Sequence, residues 1–326
     1  MAAVGGSRPV RVVYIAGSAR CGTTLLDRLL GEADGFVAMG ELCLLWQRGL
    51  LDDEPCSCRT PVRQCDFWRR VLREAYGDPE RVDALGMARV GLSERRHRSM
   101  VDLLLAGGAG GRAALPADYA ERFRALYAAI AAVSGCGVVV DSSKRALYAS
   151  LLGGIPGIEL SVIHLVRDSR AVTYSLRKRK VRVEAADGSP IYMGREGNSA
   201  AGCAWQWTRA HALCEALGRG GARYMRLRYE DLARSPGAAL ERIGVFLGEP
   251  LRGISLVGGD EVVLSRNHAP SGNPMRFTTG NVQIAADEAW RRSMPAADRR
   301  VVTALTWPLL RHYGYPLAAG RTPAAT

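Results

Sequence analysis

Short apolar runs alternate with longer amphipathic segments along most of this chain, the pattern of a parallel sheet wrapped by helices. The apolar runs predict strands over 10–16, 35–39, 137–140, 160–166 and 222–227, each ending in a polar residue or a loop. Helical periodicity predicts helices over 24–31, 145–152, 170–178, 201–217 and 236–247, the last stopped by Gly248 with Pro250 beyond it. Between Trp46 and Ser134 the strand signal disappears. Residues 47–134 are therefore expected to form a mostly helical and loop-rich insertion that covers the sheet and shapes a substrate pocket. Within it the glycine-rich stretch 106–114 reads as a turn, because no strand leads into it. Residues 183–202 read as a lid and 317–326 as a frayed tail, on a single α/β domain spanning 1–326.

The first strand leads into Gly17, four intervening residues, Gly22, Thr23 and Thr24, then an apolar helix through Leu25, Leu26, Leu29 and Leu30. A strand, a tight turn and a helix N-terminus make an anion cradle, in which backbone N–H groups and the helix dipole hold a phosphate. In the ATP and GTP version of this loop position 23 would be Lys and position 24 would hold magnesium. Here Thr23 stands in its place, and the nearest cation is Arg20. A magnesium-dependent kinase or nucleotidase is the main alternative, with Asp141 as its one clear metal-binding carboxylate.

Ligands of an open parallel sheet bind beyond the carboxyl ends of its strands. That rule gathers Arg20 to Thr24, Glu41, the Asp141-Ser142-Ser143-Lys144 run, and Arg167 to Arg170 around one cleft. Elsewhere, a spacing of two allows only one of Trp205 and Trp207 to be core. Tyr229, Glu230 and Asp231 are expected to fix a turn, Trp290 to pack structurally, and His268 to be a surface loop residue unless it touches substrate.

Composition adds a formal charge of +12 and a pI near 9.6, densest in residues 176–182. The charge fits a polyanionic ligand or a solvated arginine-rich surface, and no tail or motif points to nucleic acid. A leader pattern and an apolar run of about 20 residues are both lacking, so a cytoplasmic protein without an integral membrane segment is expected. The richness in Ala, Arg and Gly suits a GC-rich bacterial genome. Eight cysteines are too sparse for a disulfide scaffold. Cys56, Cys58 and Cys65 cluster locally, open to reading as reduced thiols, a disulfide or a metal site. Zinc would need a fourth ligand that the neighbourhood does not supply, His97 being the nearest histidine downstream.

Taken together, GSARCGTTLL and HLVRDSRAVTYSLRK resemble the two nucleotide segments of sulfotransferases that use 3′-phosphoadenosine 5′-phosphosulfate (PAPS), enzymes of a three-layer, P-loop-type fold. RCGTT followed by Gly40-Glu41, the DSSK run, LRYEDLARSP and SGNPMRF look most like the bacterial branch and the tyrosyl-protein sulfotransferases. The resemblance implies Arg20, Cys21, Gly22, Thr23 and Thr24 on the 5′-phosphosulfate, and Arg167 with Ser175, eight residues on, at the 3′-phosphate. It also implies Glu41 as general base, with Arg20 and Lys144 as catalytic cations. Arg276 would close over the same nucleotide. The implied reaction moves a sulfuryl group from PAPS to a hydroxyl of a glycan, lipid or secondary metabolite, leaving adenosine 3′,5′-bisphosphate (PAP). It calls for no metal, and a homodimer is left open.

Overall fold

A computed structural model describes residues 9–78, 82–91, 116–178, 181–184, 190–193 and 199–317. Its first seven strands run β1 (Val10–Gly17), β2 (Phe36–Ala38), β3 (Val138–Lys144), β4 (Ile158–Val166), β5 (Val181–Glu184), β6 (Pro190–Met193) and β7 (Arg223–Arg228), followed by a short antiparallel sheet of Leu256–Val257, Glu261–Leu264 and Gly280–Gln283. Five of them form one parallel sheet in the order β2-β3-β1-β4-β7. Both faces of β1 are covered: Val12, Tyr14 and Ala16 enter one apolar cluster, Val13 and Ile15 the other. Double burial is why its sequence reads as a continuous hydrophobic run.

All five expected sheet strands are present, with ends shifted by a few residues. The largest shift is in β3, where Asp141, Ser142, Ser143 and Lys144 belong to the strand itself. Buried hydrogen bonds satisfy the Asp141 carboxylate there, so polarity does not end the strand. The expected helices appear as Thr23–Leu30, Ala146–Gly153, Ser169–Arg177, Ala200–Arg219 and Pro236–Leu247. Trp207 is core and Trp205 is exposed, as their spacing requires.

The stretch 47–134 contains helices Asp66–Tyr76, Ala84–Gly91 and Ala117–Ser134. The last is more than a cover, since Phe123, Leu126, Tyr127 and Ile130 pack with Val12 and Tyr14 in the core beneath the sheet. The glycine-rich 106–114 and His97 lie outside the described residues, as do 318–326 of the tail. Of the lid stretch, the described residues are those of an antiparallel β5-β6 pair and the start of helix Ala200–Arg219. No helix among the described residues is long and apolar enough to cross a membrane.

Candidate active site

The loop after β1 turns sharply enough to need unusual backbone. Gly22 caps helix Thr23–Leu30 in the left-handed region at φ 89, and a Cβ there would lie 2.4 Å from Tyr229 Cδ2. Only glycine fits beneath that ring. Arg20 adopts φ 66, a conformation costly for a side chain and concentrated at functional sites. Cys21 turns its thiol inward, 2.9 Å from Ser18 Oγ and 3.8 Å from His211 Nε2. What Cys21 can offer a ligand is therefore its backbone. Thr23 is buried and Thr24 half-buried.

Arg20, Arg167 and Ser175 do come together. Arg20 Nε donates to Ser175 Oγ at 3.0 Å, and Arg167 Nη1 donates to the Arg20 carbonyl at 3.0 Å. Arg167 also lies over the Tyr229 ring, its Cζ 4.5 Å from the centroid. Burial, reinforced by Arg167, disfavours the Arg20 charge, while Asp287 favours it. Asp287 is the resident counter-charge, 3.4 Å from Arg167 Nη2 and 3.9 Å from Lys178 Nζ. The neighbouring arginine has a different job. Asp168 caps helix Ser169–Arg177 and pairs with buried Arg170 at 2.7 Å, leaving Arg167 free of Asp168.

Tyr229, Glu230 and Asp231 open helix Tyr229–Arg234, correcting the expected turn. Tyr229 floors the loop through Gly22, while Glu230 accepts from the Asp168 N–H and the Tyr315 hydroxyl. Trp290 is structural as expected, stacked under Arg170 at 4.9 Å.

Glu41 and Lys144 form an ion pair at the carboxyl ends of β2 and β3, each side chain about one-sixth exposed. Lys144 adopts φ 70, the second cation of the cleft in a left-handed conformation. Gly40, at φ 64, lets the chain turn under Ala269, which its Cβ would approach to 2.7 Å. Three bonds then fix the glutamate's backbone: Gly40 N–H to Asp27 Oδ1 at 3.2 Å, Ser142 N–H to Gly40 O at 2.8 Å, and Cys43 N–H to Ser143 Oγ at 2.9 Å. Asp27 thus links the helix after the anion loop to Glu41. Burial pushes the Asp27 carboxyl up to about 7.

Asp141 accepts from Tyr127 at 2.5 Å and from the Ser143 N–H at 2.8 Å, and is fully buried. Burial raises its carboxyl to about 6. Enclosed and satisfied in this way, it is not a carboxylate presented to magnesium, which removes the main support for the kinase alternative.

Arg276 lies in the loop that backs Glu41. Its guanidinium donates to Pro55 O at 2.9 Å and Gly272 O at 3.2 Å, tying it to the loop beside Glu41 instead of the Arg167–Ser175 corner. Arg28, buried in the loop helix, holds the same segment through the carbonyls of Arg276 at 3.1 Å and Thr278 at 3.0 Å. Sequence reasoning missed Arg28 and Asp27, although two charges flanked by buried leucines were a signal of buried ion and hydrogen-bond partners. His268 is likewise no isolated surface residue. Its ring joins Cys56, Cys58 and Cys65, supplying the fourth ligand atom that the sequence neighbourhood lacked.

Similarity to known proteins points in one direction. Human carbohydrate sulfotransferase 3 is 30% identical over 184 residues, and mouse carbohydrate sulfotransferase 5 is 27% identical over 180. Over about half its length the chain is similar to carbohydrate sulfotransferases. The aligned part is 50% and 49% of this chain, and only 35% and 42% of those two proteins. No protein-family model matches the chain. In fold, this chain resembles the sulfotransferase domain from the Synechococcus PCC 7002 olefin synthase, with a TM-score of 0.51 at 20% identity. That likeness covers 95% of this chain and 98% of that domain.

Proposed function

We propose that this chain transfers a sulfuryl group from PAPS to a hydroxyl acceptor, with Glu41 as general base. The observation that carries the proposal is the Glu41–Lys144 ion pair, held at the strand ends of the same sheet as the Gly22–Thr23 anion loop. Glu41 removes the acceptor hydroxyl proton as the new oxygen–sulfur bond forms. The bond from sulfur to the bridging oxygen breaks in line, and PAP leaves with the charge. Lys144, released from Glu41 as that carboxylate gains its proton, stabilises the developing charge on the bridging oxygen, with Arg20 beside it. These cations supply the charge compensation that magnesium supplies in kinases.

Backbone N–H groups of Cys21, Gly22, Thr23 and Thr24 bind the 5′-phosphate at the helix N-terminus. Arg167 and Ser175 bind the 3′-phosphate, where the guanidinium fork suits a phosphate and displaces Asp287. Arg276 then positions the loop against Glu41 and does not contact nucleotide. The relatives' names favour a carbohydrate hydroxyl over a lipid or secondary metabolite as acceptor. Glu41→Gln should lower kcat by about 10³ while leaving PAP affinity unchanged in calorimetry. Retained turnover would remove Glu41 as the base.

A further inference from the structure

Cys56, Cys58, Cys65 and His268 place four soft ligand atoms within 4.8 Å of one another. Cys58 and Cys65 sulfurs are 3.6 Å apart, and His268 Nδ1 lies 3.3 Å from Cys65 Sγ and 3.8 Å from Cys56 Sγ. A tetrahedral zinc site with Zn–S of about 2.3 Å and Zn–N of about 2.0–2.1 Å has S···S edges of about 3.8 Å and S···N edges of about 3.5 Å. Three of the six edges are close to those lengths, and the other three stay within 4.8 Å, a contraction of at most about 1 Å from a tetrahedral site. We propose that Cys56, Cys58, Cys65 and His268 bind one structural Zn²⁺ that clamps the 54–68 segment to the 265–277 loop.

Local backbone supports a closed site. The Cys56 N–H bonds to the Thr60 carbonyl at 2.9 Å and the Arg59 N–H to the Cys56 carbonyl at 2.7 Å, a tight turn with Arg59 at φ 73. His268 is fixed on two sides: its ring stacks on Phe67 at 4.8 Å, and its carbonyl accepts from Trp68 Nε1 at 2.8 Å.

Donor chemistry selects the metal. Three sulfurs and an imidazole suit zinc and exclude the oxygen-seeking magnesium and calcium, and four protein ligands leave no open position for catalysis. A single disulfide would use two sulfurs and leave the third, with the imidazole, without a purpose. Binding displaces the thiol protons to solvent and leaves a net charge of −1 on the site. Arg276, which donates to the carbonyl of Pro55 beside Cys56, is the adjacent counter-charge.

The consequence falls on the loop next to Glu41. Ser57 N–H bonds to Ala269 O at 3.0 Å, and the Glu41 N–H reaches Ser271 O at 3.5 Å, so the clamped loop is the one that backs the glutamate. Zinc content is independent of any activity, so the test stands apart from the proposed reaction.

Elemental analysis of reduced protein purified without chelator should give about one zinc per chain. Exchange into cobalt should give the intense visible bands of a tetrahedral thiolate centre. His268→Cys should retain the metal with a shifted cobalt spectrum, whereas Cys58→Ser, at a half-exposed position, should bind zinc at least about tenfold more weakly. Chelation should speed hydrogen exchange in 265–277 and leave β1 and β4 protected. The proposal is overturned if the reduced protein neither contains zinc nor takes it up when added. A Cys58–Cys65 disulfide in freshly isolated protein, or zinc that survives Cys58→Ser and Cys65→Ser together, would overturn it equally.

Discussion

The corner holding Arg20, Arg167 and Ser175 is assembled from two strand-to-helix segments on neighbouring strands, β1 and β4, with Tyr229 as its floor. Glu41 and Lys144, by contrast, depend on a loop from 269–276 and on the 54–68 segment packed against it. In the first region the fold alone delivers the charges, because a strand end and the next helix are adjacent by construction. In the second, segments about 200 residues apart must be brought together and held. Under the proposed function, the donor pocket belongs to the scaffold and the acceptor side to its additions.

Four perturbations sharpen or break that division. The largest effect is expected for Lys144→Ala, which should reduce kcat by about 10²–10³ while PAP affinity changes less than about threefold. A loss of PAP affinity equal to the loss of rate would merge the two regions into one. Arg167→Ala should do the reverse, weakening PAP binding by about 10- to 100-fold in calorimetry through the lost charged hydrogen bonds. Its kcat at saturating donor should stay within a few-fold of wild type.

Gly272→Ala probes the loop contact directly. Gly272 has φ +133, and a Cβ there would sit 3.2 Å from Glu41 Oε1. Acceptor-dependent kcat/KM should fall about tenfold, with PAP binding unchanged. A matching loss of PAP affinity would show that the loop serves both sides.

Asp27 tests the link between the regions through pH. Its folded-state pKa is raised to about 7 by burial, above the ordinary 3.8, so the folded chain holds that proton more tightly than the unfolded one. The resulting stabilisation is complete below pH 3.8 and is lost as pH rises through about 7. Asp27→Asn keeps an oxygen for the Gly40 N–H and removes the titration. Urea melts should therefore show a smaller fall in stability between pH 5 and 8 in the variant. An unchanged slope would mean that Asp27 is not the group responsible.

Local signals were the legible ones. The loop from Gly17 to Thr24 could be read because turn, glycine and apolar helix are contiguous, and Glu41 because it follows a strand end directly. The Arg167–Ser175 pair was legible for the same reason: eight residues span one strand end and two helical turns. Where Arg276 leans was not legible, because a loop sequence carries no record of which wall its side chain packs on. Nor did the neighbourhood of Cys56, Cys58 and Cys65 reveal His268, which lies 203 residues beyond Cys65.

By itself the sequence determined the sheet, the glycine turn after β1 and the strand-end charges, since each follows from periodicity or from a turn within a few residues. Tertiary structure alone decided which cations share a pocket, that Asp141 is sealed inside, and that a histidine completes the cysteine cluster. The physical reason is that burial and long-range approach fix a side chain's partners, and neither is written in the spacing of residues along the chain.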